Sequence, residues 1–284
     1  MTPTLRRFRI RPSVITNVIT STTRHPGNKG HRVKALTRLV RCEITARVTN
    51  RPVITPIGDH SSIYAYLHRG GSWRAVKANP PDFAEMNVWR SRISEGDLFV
   101  DVGAHVGIYS LWALDLGAQV LAVEPDPENV LQLRANLLLN DYSAEVFAGA
   151  LGSESGTMRL AGPDLLRRHL TSDGEGVEVE VRTLDELLGE RRAAGVKIDV
   201  EGAERLVLEG ASRALTDLRV DLLQIEWNHC SLDLLGEDRQ PVAELLRKCG
   251  YELCRPDASG ALVPEVDLSA TLLTRDMFAR PITR

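Results

Sequence analysis

The chain has 284 residues, of which 43% are hydrophobic and 26% charged, and its formal net charge is −3. This composition is typical of a globular protein with a large core. No apolar run approaches the ~20 residues of a bilayer-spanning helix, so we exclude a membrane-spanning protein and expect no membrane partner. The first residues lack the apolar core of a secretory signal, and we therefore expect a cytoplasmic location.

Charge is distributed unevenly along the chain. Residues 1–51 contain 12 of the 35 Lys and Arg residues but only one of the 38 acidic residues. A basic arm of this kind can contact nucleic acid, a lipid head group or the acidic remainder of its own protein, and we favour the last. The four cysteines have no CxxC spacing, so we predict neither a zinc site nor a disulfide framework.

The first 82 residues are predicted to form a small mixed region. Apolar residues recur at helical spacing over 31–48. The stretch over 51–71 alternates as short strands do, with a hairpin turn over 58–62. The amphipathic PPDFAEMNVWRSRI then predicts a helix, with which a second unit, residues 83–284, begins. We expect the first unit to cover an acceptor pocket of the second.

From Leu98 onward, apolar strands alternate with helices. The strands are LFVDVG, QVLAVEPD, AEVFAGAL, VKIDV and VDLLQIEW, with a further alternating segment, GVEVEVR. Helices are predicted over 107–117, 127–140, 184–192, 203–215 and 241–249, and closing strands over 251–254, 261–263 and 271–274. This succession predicts an α/β protein whose parallel sheet is covered by helices on both faces.

The loop after the first of these strands, GAHVG, has the features of a ligand-binding loop. In a doubly wound sheet, ligands bind at the carboxyl ends of the strands. Gly103 permits a tight turn there, and Gly107 permits close packing of the following helix. Glu124 ends the second strand, 21 positions after Gly103, where an acid that binds ribose hydroxyls is expected.

Two cofactor classes share these features. A nicotinamide dinucleotide needs G-x-G-x-x-G so that backbone amides can surround its pyrophosphate, and that spacing is missing here. Asp101 stands just before Gly103, where its carboxylate would repel a pyrophosphate but suit the ammonium and sulfonium groups of S-adenosylmethionine. The residues therefore favour S-adenosylmethionine.

Successive motifs between residues 83 and 227 resemble those of the FkbM-type family of S-adenosylmethionine-dependent methyltransferases. They are DVGAHVGIYSL, VLAVEPDPENVLQLRANLLLN, GALGSESGTMRL, VEVRTLDELL and VKIDVEGAERLVLEGA. The resemblance implies a class I methyltransferase fold, with a Rossmann-like, mostly parallel seven-stranded sheet, and methylation of hydroxyl groups of sugars or natural products. His105 departs from the family, which usually has Asn at this position.

The resemblance also implies a set of cofactor-binding residues. Asp101 would lie at the methionine end of the cofactor, Glu124 would bind the ribose, and Ala150 and Leu151 would border the adenine. The full set is Glu85, Asp101, Gly103, Ala104, His105, Gly107, Glu124, Pro125, Asp126, Asn129, Ala150 and Leu151.

A hydroxyl nucleophile must lose its proton, and we expect the base at the end of the fourth or fifth strand. Asp199 is the first candidate, because a buried charge without a function would be costly among apolar residues. Glu226 and His229, at the end of the fifth strand, are further candidates. The three side chains could instead gather a divalent cation, but no D-D/N motif supports one and we predict no metal site.

These residues together predict an O-methyltransferase that acts on a small polar acceptor with a hydroxyl group. Two alternatives stay open. One is a nicotinamide-dependent oxidoreductase, and the other is a non-catalytic nucleic-acid-binding protein that uses the basic arm. A homo-oligomer stays open as well.

Overall fold

The computed structural model describes residues 12–67, 71–161, 169–171, 176–228, 236–257, 260–265 and 276–282. Within these ranges, every helix is too short or too polar to cross a bilayer.

Two helices, a hairpin and a third short helix form the N-terminal region. They are α1 (Pro12–Arg24), α2 (Arg32–Thr49), β1 (Val53–Ile57), β2 (Ser61–Ala65) and α3 (Trp73–Lys77). The predicted helix over 31–48 and the predicted hairpin turn are both confirmed as α2 and the β1–β2 turn. Helices α1 and α3 were not predicted from the sequence. A small core joins α2, the hairpin and α3, and it includes Leu39, Cys42, Val53, Trp73 and Val76.

The remaining chain alternates strands and helices as predicted. Its first half comprises α4 (Phe83–Arg92), β3 (Leu98–Val102), α5 (Ile108–Asp115), β4 (Gln119–Val123), α6 (Pro127–Leu139), β5 (Glu145–Phe147), β6 (Ala150–Leu151), β7 (Gly156–Ala161), β8 (His169–Thr171) and β9 (Val177–Arg182). Its second half comprises α7 (Leu184–Leu188), β10 (Gly195–Ile198), α8 (Glu204–Glu209), α9 (Ser212–Thr216), β11 (Leu223–Glu226), α10 (Gln240–Lys248), β12 (Tyr251–Pro256), β13 (Leu262–Pro264) and β14 (Asp276–Pro281).

The large sheet has the strand order β13-β12-β14-β11-β10-β3-β4-β5. The five strands from β11 to β5 are parallel, and β14 runs antiparallel between β11 and β12. This is the expected α/β fold with its mostly parallel seven-stranded sheet, and in the described part of the chain the short β13 adds an eighth strand at one edge. Strand order reverses beside β3, so the crevice between the ends of β3 and β10 is the expected place for a ligand.

Helices cover both faces of the sheet because the strand side chains alternate. Val100 and Val102 of β3 face α7, α8, α9 and α10, whereas Phe99 of the same strand faces α4, α5 and α6. Trp89 of α4 packs edge-on against Phe99, with ring centroids 5.0 Å apart. Two buried layers therefore enclose β3, as a central parallel strand requires.

Two predicted elements differ from the structure, and a third cannot be compared with it. AEVFAGAL divides between β5 in the large sheet and β6 in a separate sheet of order β6-β9-β7-β8, which also takes up GVEVEVR as β9. The helix predicted over 203–215 is interrupted at Gly210, where a Cβ would lie 2.0 Å from the carbonyl oxygen of Gly152. The strand predicted over 271–274 lies outside the described residues, and β14 after it was not predicted.

Side chains of α5 and α6 hold the N-terminal hairpin in place. Asn136 of α6, which is 1% exposed, accepts from the Tyr64 amide at 2.9 Å and donates to the Val106 carbonyl at 2.8 Å. At the hairpin turn, Asp115 accepts from the backbone amides of Asp59 and His60. The hairpin is thus tied by hydrogen bonds to α5, to α6 and, through Asn136, to the glycine loop.

We expect Asn136→Leu to lower the free energy of unfolding by about 2–3 kcal/mol, because an amide and a carbonyl group lose their partners inside the protein. Urea denaturation followed by circular dichroism would measure this. Arg134→Leu, an exposed change on the same helix, is the control and should stay within about 0.5 kcal/mol of the wild type. Equal stability of both variants would contradict the proposed role of Asn136 in holding the hairpin.

Candidate active site

A cavity of about 250 Å³ opens where β3, β4 and β10 end. Its walls come from the loops after these strands, from α5 and α6, and from the N-terminal region. The lining residues are Gly71, Arg74, Asp101, Val102, Gly103, Ala104, His105, Ile108, Tyr109, Val123, Glu124, Pro125, Asp126, Asn129, Ala150, Leu151, Leu160, Lys197, Asp199, Val200 and Glu201.

The glycine loop is shaped by close contacts on both sides. Gly103 has φ +76°, and a Cβ there would lie 1.8 Å from the carbonyl oxygen of Asp199, so only glycine fits. Gly107 has φ +93°, and its Cβ would lie 2.5 Å from Leu133 of α6. Between them, His105 has φ +53°, a left-handed conformation in which Asn, Asp and His are enriched.

Glu124 joins the glycine loop to the start of α6. Its Oε2 accepts from the His105 amide at 2.7 Å, and its Oε1 accepts from the Asp126 amide at 2.9 Å and from Asn129 Nδ2 at 3.2 Å. Burial raises the pKa of Glu124, although these hydrogen bonds oppose the shift. The carboxylate oxygens that line the cavity are therefore fixed in position and can accept hydrogen bonds from a ribose.

Asp101 is 1% exposed and has one oxygen with a partner. Ser110 of α5 donates to Oδ2 at 2.6 Å, whereas among the described residues no group donates to the buried Oδ1. Burial raises the pKa of this carboxyl. An acidic side chain with a free acceptor at the cavity wall fits the ammonium or sulfonium group of S-adenosylmethionine.

Lys197 and Asp199 form an ion pair at the end of β10. Lys197 Nζ lies 3.0 Å from Asp199 Oδ2 and 4.8 Å from the centre of the Tyr109 ring. Burial alone would lower the pKa of Lys197, but Asp199 and Asp101 outweigh it and raise that pKa. Burial would likewise raise the pKa of Asp199, but Lys197 and Arg74 hold it below its usual value. Asp199 is therefore an ionised carboxylate, and its side chain stays 35% exposed.

Glu226 lies at the end of β11. Its carboxyl group is neutral, whereas that of Asp199 is ionised. Burial, with the neighbouring carboxylates of Asp199, Glu201 and Glu204, raises the pKa of Glu226 to about 9. Its Oε2 is buried, without a hydrogen-bond partner among the described residues. Carboxylate oxygens of Asp199, Glu201 and Glu226 all lie within 4.8 Å of one another. Because Lys197 already neutralises Asp199, this group offers a cation less charge than three free carboxylates would.

A buried ion pair supports the loop that carries Asp199 and Glu201. Glu204 and Arg239 are 0% and 5% exposed, and Arg239 Nη1 donates to Glu204 Oε2 at 2.5 Å. The other oxygen of Glu204 accepts from the amides of Val200 and Gly202 at 3.2 and 3.0 Å. Glu204 thus fixes the backbone of this loop through hydrogen bonds to two of its amides.

The structure brings most of the predicted site residues to one cavity. The predicted residues that line it are Asp101, Gly103, Ala104, His105, Glu124, Pro125, Asp126, Asn129, Ala150, Leu151 and Asp199. Gly107 lies beside the lining in the same loop. Glu85 lies on α4 outside the lining, half-buried, and Glu226 adjoins Asp199 without lining the cavity. His229 lies outside the described residues.

Ten residues of the cavity wall were not predicted as site residues, among them Lys197, Tyr109, Gly71 and Arg74. Lys197 and Tyr109 look like ordinary members of a strand and a helix, although a lysine in an apolar strand is a signal in itself. Gly71 and Arg74 come from the N-terminal region, and Arg74 pairs with Asp82. Nothing local in GGSWRAVK marks Arg74, because its place in the wall follows from the packing of α3.

This fold and this cavity define a class I methyltransferase with a site for S-adenosylmethionine. The profile of the family described as "Methyltransferase FkbM domain" matches residues 101–253. The chain belongs to this family, and its cofactor is S-adenosylmethionine.

Three curated relatives are similar to this chain. The 31-O-demethyl-FK506 methyltransferase FkbM of Streptomyces tacrolimicus is 30% identical over 195 residues, which cover 52% of this chain and 75% of that protein. Methyltransferase sdnD of Sordaria araneosa is 27% identical over 212 residues, 60% of this chain and 80% of that protein. AMB antimetabolite synthetase AmbE of Pseudomonas aeruginosa is 29% identical over 206 residues, 63% of this chain but 9% of that protein.

Solved structures with a similar arrangement include two methyltransferases. The 16S rRNA N2 G1207 methyltransferase of T. thermophilus, in complex with AdoMet and guanosine, has a TM-score of 0.45 and 15% identity, and the match covers 82% of this chain and 50% of that chain. The precorrin-6y C5,15-methyltransferase of Geobacter metallireducens has a TM-score of 0.40 and 14% identity, with 70% and 89% covered.

The raised pKa of Glu226 predicts a pH-dependent stability. The folded protein holds this proton more tightly than the unfolded chain, whose Glu pKa is near ~4.3. The free energy of unfolding therefore falls as the pH rises from the unfolded pKa toward about 9. Glu226→Gln cannot ionise and should be more stable than the wild type by about 1–2 kcal/mol near pH 8, with little difference near pH 5.

Urea denaturation at both pH values would measure this effect, with the surface variant Glu244→Gln as the control. The other titrating groups are common to the wild type and the variant, so their difference isolates Glu226. A stability difference that does not change with pH would contradict the assigned charge state.

Proposed function

We propose that this protein is an O-methyltransferase that methylates a hydroxyl group of a small polar acceptor, such as a sugar or a natural product. The observation that carries the proposal is the ionised Asp199 carboxylate, held by Lys197 at the cavity wall against the glycine loop. An ionised carboxylate at this place is a ready acceptor for a hydroxyl proton. The name of the Streptomyces relative, which includes "31-O-demethyl", is consistent with transfer to oxygen.

We assign the cofactor-binding role to the residues that line one side of the cavity. Glu124 accepts from the ribose hydroxyls, and the free Oδ1 of Asp101 faces the positively charged methionine end. Ala150 and Leu151, both buried, supply an apolar border for the adenine. Gly107 keeps α6 close to the loop, so its role is to shape the site.

S-adenosylmethionine supplies a methyl group on a sulfonium, which is already activated for an in-line displacement. The residues of the chain then have to align the acceptor oxygen, exclude water and receive one proton. As the new O–C bond forms and the C–S bond breaks, the acceptor oxygen becomes positive and its proton becomes acidic. A weak base such as Asp199, with its lowered pKa, is therefore sufficient.

Two neighbours of Asp199 support this role. His105 lines the same cavity, and burial lowers its pKa, so a neutral imidazole is available as a hydrogen-bond acceptor or as a second base. Glu226 is protonated near neutral pH because its pKa is about 9. We therefore assign Glu226 the role of a hydrogen-bond donor toward Asp199. His229 stays a sequence-based candidate.

The acceptor side of the cavity is assigned to the N-terminal region. Arg74 of α3 and Gly71 before it line the cavity together with Asp199. The proposed division of the chain into residues 1–82 and 83–284 thus has a functional meaning, because the first unit supplies a wall that the sheet does not provide. A nicotinamide dinucleotide remains disfavoured by the carboxylate of Asp101 just before Gly103, which would repel its pyrophosphate.

Glu124→Ala tests the cofactor assignment. Loss of hydrogen bonds from two ribose hydroxyls to a charged acceptor should weaken S-adenosylmethionine binding by about 100-fold or more. Isothermal titration calorimetry would measure the dissociation constant, with NAD as the second ligand and Glu128→Ala, exposed on α6, as the control variant. Unchanged affinity in Glu124→Ala, or tighter binding of NAD, would contradict the assignment.

Asp199→Asn tests the proposed chemistry. We expect kcat to fall by about 100-fold or more because the proton acceptor is lost, while S-adenosylmethionine still binds. Transfer of a labelled methyl group to a panel of paired hydroxyl and amine analogues would be measured, and NMR would locate the methyl group on the product. Asp221→Asn, at the opposite end of β11, is the control. Methylation of the amine alone, or full activity of Asp199→Asn, would overturn the proposal.

A further inference from the structure

Helix α2 has two apolar faces, and one of them is exposed. Its buried face consists of Ala35, Leu39, Cys42 and Ala46. At 3.6 residues per turn, the opposite side carries a second row of aliphatic side chains, which we call the outer stripe. The outer stripe consists of Val33, Val40, Ile44 and Val48, which are 79%, 54%, 58% and 80% exposed.

Basic side chains border the outer stripe on both sides. Lys34 and Arg41 lie along one side and Arg47 along the other, and all three are exposed. Glu43 is the single acidic residue of the helix, and it pairs with Arg47 at 2.7 Å. The helix has 18 residues and is therefore about 27 Å long. Its outer face is a narrow aliphatic strip inside a cationic frame.

We propose that the outer stripe of α2 docks on an anionic lipid surface. A helix of this pattern lies flat at the boundary of a bilayer, where its aliphatic residues enter the acyl region and its Lys and Arg side chains reach the lipid phosphates. This inference differs from the expectation, drawn from composition, that no membrane is involved.

A lipid surface fits the outer stripe better than a second copy of this chain. Four aliphatic side chains on one helix contribute roughly a few hundred Å², far below the ~1,200 Å² that a stable interface buries. In an antiparallel pair of α2 helices, Lys34 and Arg41 would also face the same residues of the partner, and like charges would repel. A bilayer imposes neither requirement.

Docking at α2 would place the membrane close to the cavity wall. Arg38 of α2 donates to the Val76 carbonyl of α3 at 2.9 Å, and Leu39, Trp73 and Val76 share one core. Helix α3 also carries Arg74 of the cavity wall. The membrane-facing helix is thus one layer away from the proposed acceptor side, but the docking itself does not depend on the proposed function.

Vesicle sedimentation with the full-length protein tests the inference. The probes are vesicles of phosphatidylcholine alone and of an equal mixture of phosphatidylcholine and phosphatidylglycerol, at low and at high salt. We expect binding to the mixed vesicles only, weakened by salt. The test variants are Val40→Ser/Ile44→Ser and Lys34→Glu/Arg41→Glu, and each should lower the partition coefficient by tenfold or more.

Matched controls separate the stripe from exposed apolar and basic residues in general. Leu131→Ser/Leu138→Ser removes two leucines of α6 that are 68% and 77% exposed, and Lys248→Glu reverses a basic residue of α10. Both should bind as the wild type does. Thermal melting and S-adenosylmethionine titration of every variant would verify that the fold is retained.

Three outcomes would overturn the inference. The first is absence of wild-type binding to the mixed vesicles. The second is binding that the α2 variants leave unchanged, which would assign it to another part of the chain. The third is a wild-type dimer, seen by light scattering, that Val40→Ser/Ile44→Ser converts to a monomer, because the stripe would then be an interface between copies.

Discussion

The arrangement of the active site depends on one buried ammonium group, that of Lys197 in the central strand β10. A charge at this depth is tolerated because Asp199 and Asp101 lie beside it and the Tyr109 ring lies 4.8 Å away. The dependence is mutual, since Asp199 stays ionised because Lys197 faces it. Because Lys197 and Asp101 are register partners on neighbouring strands, the sheet itself fixes the spacing of these charges. The ion pair therefore sets both the position and the charge state of the proposed base.

The second constraint is the dependence of the cavity on the N-terminal region. Asn136 and Asp115 hold the hairpin through backbone hydrogen bonds, and the hairpin and α2 in turn hold α3. Arg74 reaches the cavity only because these contacts place α3 at its edge. The proposed cofactor side thus rests on the parallel sheet, whereas the proposed acceptor side rests on the N-terminal helices and hairpin, which have a small core of their own.

The parallel part of the fold could be predicted because each strand and helix carries its own period and its own breakers. Gly103, Gly107 and Glu124 could be predicted for a related reason, since they follow strands at fixed spacing. The divided third strand, the second sheet and β14 could not, because a local pattern does not say which distant segments pair with each other. The position of Arg74 in the cavity wall could not be predicted either, because it follows from the tertiary packing of α3. The charge states of Asp199 and Glu226 were also beyond the sequence, because both follow from distances between side chains on different strands.

Those two charge states bear directly on the chemistry. Asp199 and Glu226 end neighbouring strands and belong to one cluster of carboxyl oxygens, and two negative charges so close together would repel. Lys197 resolves this by stabilising the ionised form of Asp199, and the resulting charge helps to keep the proton on Glu226. When the surroundings shift the pKa values of two carboxyl groups apart in this way, one group can accept a proton while the other can donate one. Under the proposed function, a proton released by an acceptor hydroxyl would therefore go to Asp199, whereas Glu226 already carries a proton and is available as a hydrogen-bond donor.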